Sequence, residues 1–501
     1  MGCKGGFPCS HPKGANMTTR LAIASQRPSR RGLRVPSLTR ARGLLQGLGA
    51  LAFVGLASTP AYAVPAFARQ TGQDCVACHV GGFGPQLTPF GRAFKLGGYT
   101  LKGGSAKHDI PLSAMLVASY THTTGDNSAP PAGFSANDNV TALQQASIFL
   151  AGRLSDHVGV LAQATYSDPG SQNIAWDNSD VRYATDYKFG STSGIFGVSL
   201  NNNPTVSDVW NTVPAWQFGF MTSPFGAGYG QTPVIEDLGQ HVLGASFYTL
   251  VDNHWYGELG LYHQMSNWWG NQLHAGGPAD PLNDGGAGAN ADLTAGGGVV
   301  TGYAPYWRFN YSNSIGASTY EFGVLGMRTK LNPQNPNAQS SDNLDPSITG
   351  NGPDETYTDM GLDGSYQYFG DNGIWSVNGL YIHERQQFTQ SYLTGATSNA
   401  EDTLNAMNVN AAYWYQNTYG ATIQFFNTTG STDPYLYNPS SSAQTSGVTW
   451  EFDWNPFGKS WVDPEKNLRL GVQYTTYNKF AGSSQDASSN NSLYVYVWTA
   501  I

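Results

Sequence analysis

The chain reads as all-β: an antiparallel outer-membrane β-barrel of about 16 strands, with a short, partly helical N-terminal segment lodged in its lumen. Three observations carry this reading. Short stretches alternate apolar and polar side chains with period two, recurring about every 25 residues, the pattern of strands with two unlike faces. Only 12% of residues are charged while 13% are aromatic, many of them at strand ends, as the girdles of a lipid-embedded barrel require. An export signal precedes everything else.

Residues 1–63 form that signal. They hold nine Lys or Arg and no acid, then the apolar run GLLQGLGALAFVGLA (43–57), then Ala61-Tyr62-Ala63. This is a charged region, an apolar region and a small-residue cleavage site. The run of 15 falls short of the roughly 20 residues that a spanning helix needs, which disfavours a membrane anchor. Arg30-Arg31 stands too far from the apolar run for a twin-arginine signal, leaving the general secretory route. Met17 is an alternative start, and Val64 the expected first mature residue.

Cleavage removes Cys3 and Cys9 and leaves Cys75 and Cys78 alone in 438 residues. A disulfide scaffold is excluded. Nine of the 25 basic residues leave as well, so 16 face 34 acids and the mature chain carries a charge near −18. Such a surface excludes nucleic acid as a partner and favours metal cations and cationic proteins.

Segment 64–104 contains TGQDCVACHVGG (71–82). Cys-x-x-Cys-His is the attachment sequence of a c-type haem. On a helical turn Cys75, Cys78 and His79 share a face, so both thiols can form thioethers while His79 reaches the iron as proximal ligand. Half a zinc site is the competing reading, but such a site needs four ligands, and no second Cys or His pair completes it. At 41 residues the segment lies at the limit of independent folding. Its helix signal runs from Thr88 as cap through Pro89 to Gly97-Gly98. Phe90 and Phe94 share one face, with Arg92 and Lys95 elsewhere. Eight residues make a marginal helix in water, so haem and a barrel wall are expected to support it. Phe90 and Phe94 are candidates to pack on haem. Arg69, Arg92 and Lys95 are candidates to pair with its propionates, lumen carboxylates being equally natural partners.

Residues 105–501 supply the wall. LSAMLVASYTHT (112–123) sets Leu112, Ala114, Leu116, Ala118 and Tyr120 against Ser113, Met115, Val117, Ser119 and Thr121. WQFGFM, VVTGYAPYWRFNYS, YEFGVLGM, GIWSVNGLYIHE, ATIQFFN, VTWEFDW, LRLGVQYTTY and SLYVYVW repeat the theme. At about 25 residues per strand and connection, 397 residues make about 16 strands, enough to enclose an aqueous lumen. Turn-rich stretches at 270–296, 333–353 and 430–445 suit external loops. A soluble array of sandwiches shares the period, but low charge and export favour the barrel. The chain ends at Ile501, where an aromatic residue is expected.

The second axial ligand has no motif. Strand parity puts Met115 on the polar, lumenal face and points Met221 inward, while Met360 and Met407 fall on apolar faces. Met115, closest in sequence to the haem segment, is the expected distal ligand, and His/Met ligation raises the potential. His108, in the linker, is the second candidate, and an open coordination position the third.

PAFARQTGQDCVACH and PQLTPFGRAFKLGGY, followed by NNNPTVSDVWNTVPAW (201–216), resemble the fused outer-membrane cytochrome–porins of iron-oxidising bacteria. The likeness is specific over about 65–125 and returns over 201–225. It implies one covalent haem c in a barrel of about 16 strands. It also implies electron transfer from an extracellular donor, typically Fe(II), to a periplasmic cytochrome or other carrier. A porin for small solutes, with the haem segment as a structural or redox-sensitive plug, is the competing class. GGFG and GGAGAN lack the strand–helix context of dinucleotide binding. DPLNDGGAGANAD (280–292) offers oxygen ligands for a hard cation, but reads first as a solvated loop.

Overall fold

In a computed structural model, period-two alternation becomes a closed antiparallel barrel. The structure describes residues 66–82, 84–103, 111–169, 174–273, 298–333, 353–438, 440–458 and 467–500. The signal region, the 104/105 boundary, His108, segment 280–292 and Ile501 lie outside the described residues.

The first strands are β1 (Leu112–Thr123), β2 (Asp138–Arg153), β3 (Val158–Ser167), β4 (Ile174–Phe189) and β5 (Thr192–Asn201). After a long connection come β6 (Val242–Val251), β7 (Trp255–Gln264), β8 (Gly298–Val300), β9 (Ala304–Ile315) and β10 (Ser318–Pro333). The third group is β11 (Glu355–Gly370), β12 (Gly373–Gln387), β13 (Glu401–Tyr415) and β14 (Tyr419–Gly430). The last three are β15 (Thr445–Trp454), β16 (Asn467–Lys479) and β17 (Ser492–Ala500). β8 and β9 both pair with β10, at opposite ends of it, and fill one place in the wall. The barrel therefore has 16 strands. β1 closes it against β17, from Met115↔Ala500 to Thr123↔Ser492, so no edge is left unpaired in lipid.

Side chains alternate as the two solvents demand. On β11, Tyr357, Asp359 and Gln367 are buried inward, while Met360, Leu362 and Tyr368 are exposed outward. Leu112, Ile148, Leu259, Phe322, Phe452 and Val472 extend that outward apolar belt around the wall. An apolar exterior of this kind is stable against acyl chains and not against water. No helix among the described residues is long and apolar enough to cross a membrane; the strands do so.

The two barrel ends differ. Six hairpins at one end close in two to four residues, the β15–β16 connection there being longer, with Gly190 and Gly316 at φ 62° and 59° where tight turns need positive φ. Exposed Trp255, Tyr368, Trp375, Tyr415, Tyr419 and Trp454 ring that end, an aromatic girdle at the lipid–water boundary. Short turns mark the periplasmic side of an outer-membrane barrel and long loops the external side.

The lumen is filled from two directions. From the short-turn end enter α1 (Ala66–Thr71), α2 (Cys75–Cys78) and α3 (Pro89–Leu96). From the long-loop end, the β5–β6 connection (202–241) folds inward, and every residue of 202–213 is buried. WQFGFM (216–221), which reads as a strand, belongs to this inward loop instead. Gly219 at φ 106° interrupts any ladder there, and Phe218 is buried with its ring 5.9 Å from that of Phe220. Its alternation serves lumen packing, not lipid contact.

Candidate functional site

The Cys-x-x-Cys-His sequence forms one turn of helix. α2 spans Cys75–Cys78, and the His79 amide donates to the Cys75 carbonyl at 2.8 Å. The chain then reverses: Val80 N–H donates to Gln86 O at 3.0 Å, and Thr88 N–H to Cys78 O at 2.9 Å. α3 begins as its sequence predicts, with Thr88 Oγ1 accepting from Gly91 N–H at 3.2 Å and Pro89 in the first turn. Gly91 lies against Cys78, where an added Cβ would collide with the Cys78 carbonyl.

Barrel residues hold this hairpin at the short-turn end. Asn455 Nδ2 donates to Gly81 O, and Arg469 Nη2 donates to the same oxygen at 3.1 Å. The Trp414 ring covers Gly81, and the Trp498 ring covers Gly84. A cavity of about 20 Å³, room for one water, lies beside Val80 and Gln86, bounded also by Phe218, Phe220, Trp414 and Arg469.

Both thiols are free, and burial pushes each up to about 11. Burial, opposed by a Gly84 backbone hydrogen bond and reinforced by Arg469, pulls the His79 imidazole down to about 4. His79 is therefore neutral, the form a metal ligand needs, and its Nδ1 is buried without a hydrogen-bond partner. Such an orphaned polar atom is costly. Two unbridged thiols and a neutral imidazole on one turn are the donor set that a covalently held haem requires.

The other candidate residues are distributed unequally. Phe94 is buried with Phe67 and Tyr99, at ring separations of 5.0 and 5.8 Å. Phe90 is 40% exposed, next to the Gly91–Cys78 contact. Their shared helical face is thus split between core packing and open lumen. Arg92 donates to Gln367 Oε1 and Thr319 Oγ1, each at 3.0 Å. Arg69 donates to Leu112 O at the barrel rim. Lys95 Nζ donates to Val206 O and Asp208 O, each at 2.7 Å, over the Trp216 ring. Burial, reinforced by Arg182, pulls the Lys95 ammonium down to about 7. These cations bind barrel and loop oxygens. Met115 points inward and shares a buried cluster with Val117, Met221, Tyr494, Tyr496 and Trp498. Met360 and Met407 face outward, as parity predicts.

Sequence reading missed the wall's half of the site. Arg469, Trp414, Trp498 and Asn455 carry no motif. Their signal is an arginine at an inward position of an otherwise apolar strand, seen in LRLGVQ (468–473) and again in YWRFNY (306–311). In the second case Arg308 joins Asp208 of the inward loop at 2.6 Å and also binds Asp363 and Thr212. Burial opposes ionisation of Asp208, but the Arg308 charge and the Trp210 amide outweigh it and hold the carboxyl below its usual range. The loop in turn grips the hairpin, with Asn211 bonded to Pro85 O and Leu87 N–H, each at 2.9 Å.

No protein-family profile matches the chain, and no curated protein matches it either. Similar solved structures are outer-membrane proteins. OmpT of Vibrio cholerae, in a loop-deletion form, is 10% identical with a TM-score of 0.41, covering 78% of this chain and 98% of that one. The DcaP channel of Acinetobacter baumannii is 13% identical with a TM-score of 0.43, covering 78% and 97%. Salmonella typhi OmpF is 13% identical with a TM-score of 0.40, covering 78% and 97%. At this level the likeness is one of fold. The closed wall, apolar belt and girdle make this chain a porin-like barrel of the outer membrane.

Proposed function

We propose that the chain is an outer-membrane cytochrome–porin that passes electrons from an extracellular donor, Fe(II), through one haem c to a periplasmic cytochrome or other carrier. The observation that carries this reading is the Cys75–Cys78–His79 turn inside the barrel wall, with His79 Nδ1 buried and unpartnered. Haem bound there supplies one-electron exchange at its iron. Cys75 and Cys78 would tether the group and His79 would present a neutral imidazole, while Phe90 leaves its ring exposed. Packing of the hairpin against loop 202–241 limits water access and favours electron over solute passage. Buried Glu355, Asp359, Glu384 and Asp402 line the external half of β11–β13. The net charge near −18 after signal removal favours the approach of cations over anions.

Solute passage is the second reading, favoured by the 16-strand wall, a size at which barrels enclose aqueous channels. Stopped-flow mixing of the purified protein with Fe(II), followed at the Soret band, separates the two. Prompt reduction supports the electron-transfer reading. An unreduced haem together with solute influx into proteoliposomes supports the porin.

A further inference from the structure

The geometry points to Arg469 as the residue that positions the haem hairpin and sets the electrostatic potential at its iron. This inference rests on the proposed haem attachment. Arg469 lies on β16 with its guanidinium 4.7 Å from the Trp414 ring centre and 5.4 Å from that of Trp498. Those are the two rings that cover Gly81 and Gly84. Its Nε donates to Asn455 Oδ1 at 3.2 Å and its Nη2 to Gly81 O at 3.1 Å, while Asn455 binds the same Gly81 oxygen. A Cβ on Gly84 would stand 3.6 Å from Arg469 Nη1. The cation thus contacts the chain two and five residues beyond His79.

The arrangement suits arginine and not lysine. A planar guanidinium stacks between two indoles and spreads donors in a fixed fork, whereas an ammonium offers a point charge. Two glycines let the indoles approach the hairpin, and Arg469, together with Asn455, bonds the wall to the segment that follows the Cys-x-x-Cys-His turn. A fixed positive charge this close disfavours the more positive ferric state and raises the potential. In a low-dielectric lumen the effect is screened far less than at a surface. A raised potential is what accepting electrons from a weak reductant demands.

Redox titration of the full-length, haem-loaded protein in detergent tests the inference, with haem content per chain measured alongside. Arg469→Gln is expected to lower the midpoint so that the ferric-to-ferrous ratio rises at least tenfold at fixed poise, 59 mV for a one-electron couple. Arg469→Lys, keeping charge but not the stacked fork, is expected to recover more than half of that change while haem content falls. Arg469→Met serves as the second neutral variant if the glutamine form does not assemble, as judged by heat-modifiable gel mobility. Equal midpoints for wild type, lysine and neutral variants overturn the inference. So do lysine and neutral variants that shift alike, because a merely structural role makes no distinction between them. A wild-type protein without covalent haem instead overturns the proposed function.

Discussion

Asp208 of the inward loop meets Arg308 of β9 at 2.6 Å, both side chains fully buried. Arg308 also reaches Asp363 on β11, so one guanidinium ties loop to wall in the middle of the lumen. Removing one partner of a buried ion pair leaves a charge uncompensated, a loss of about 3–5 kcal/mol. Arg308→Met is therefore expected to lower the melting temperature of the folded barrel on heat-modifiability gels. It should also raise single-channel conductance in planar bilayers, because the freed loop no longer fills the lumen. Unchanged conductance would mean that the loop is held by its other contacts.

Gly91→Ala places a methyl group against the Cys78 carbonyl. Backbone cannot yield as a flexible side chain does, so α3 is expected to lift from α2. Covalent haem per chain should fall severalfold with the strand signal in circular dichroism unchanged. Ala93→Gly, in the same helix, is the control: it costs about 1 kcal/mol of helix propensity and should leave haem attachment intact.

Lys95 makes the seating of the hairpin pH-dependent. Its folded-state value of about 7 lies below the ordinary 10.5, so the unfolded state binds the proton more tightly between those limits. Stability conferred at this site therefore rises as pH climbs from about 7 to 10.5, and is lost as pH falls through 7. The range amounts to a few kcal/mol at most, on the order of 1.4 kcal/mol per unit. Resistance of the hairpin to protease is expected to be greater at pH 9 than at pH 6.5, after normalising protease activity. Lys95→Met should flatten that difference; a persistent one would assign it to another group.

The legible part of this protein is the part written under a local constraint. Lipid on one face and water on the other force period two, so β1, β9, β10, β12 and β14–β17 are legible in stretches such as SLYVYVW. The Cys-x-x-Cys-His spacing sets Cys75, Cys78 and His79 within five residues on one turn, and Thr88-Pro89 announces its helix. The inward loop was illegible because WQFGFM alternates for lumen packing and imitates a strand facing lipid. Arg469 and Asn455 meet Gly81 across more than 370 positions, and no local pattern encodes such a meeting. Charge alone makes Arg92 and Lys95 candidates for propionates or lumen carboxylates, and their barrel and loop partners, Gln367, Thr319 and loop carbonyls, carry no local signal.

Met115 and Met221 occupy one buried cluster that includes Trp498, and Trp498 covers Gly84, five residues beyond His79. Each Met→Ala change is expected to cost about 2–5 kcal/mol as a core truncation. If Met115 is the distal ligand, Met115→Ala should also lower the haem midpoint and leave haem content unchanged, while Met221→Ala should alter stability alone. A midpoint shift confined to Met221→Ala would transfer the ligand role to the loop. No shift in either would leave His108 or an open position.

On the proposed function, the Cys75–His79 turn carries a covalent haem inside the barrel. Its most direct test is an alkaline pyridine spectrum of the protein purified from outer membranes of a host competent in cytochrome maturation. The spectrum is taken after acid–acetone extraction has removed any unattached haem. The account predicts one haem retained per wild-type chain and none in the Cys75→Ala/Cys78→Ala double variant. A wild-type chain that folds into the membrane yet retains no haem, or a double variant that retains as much, would contradict it.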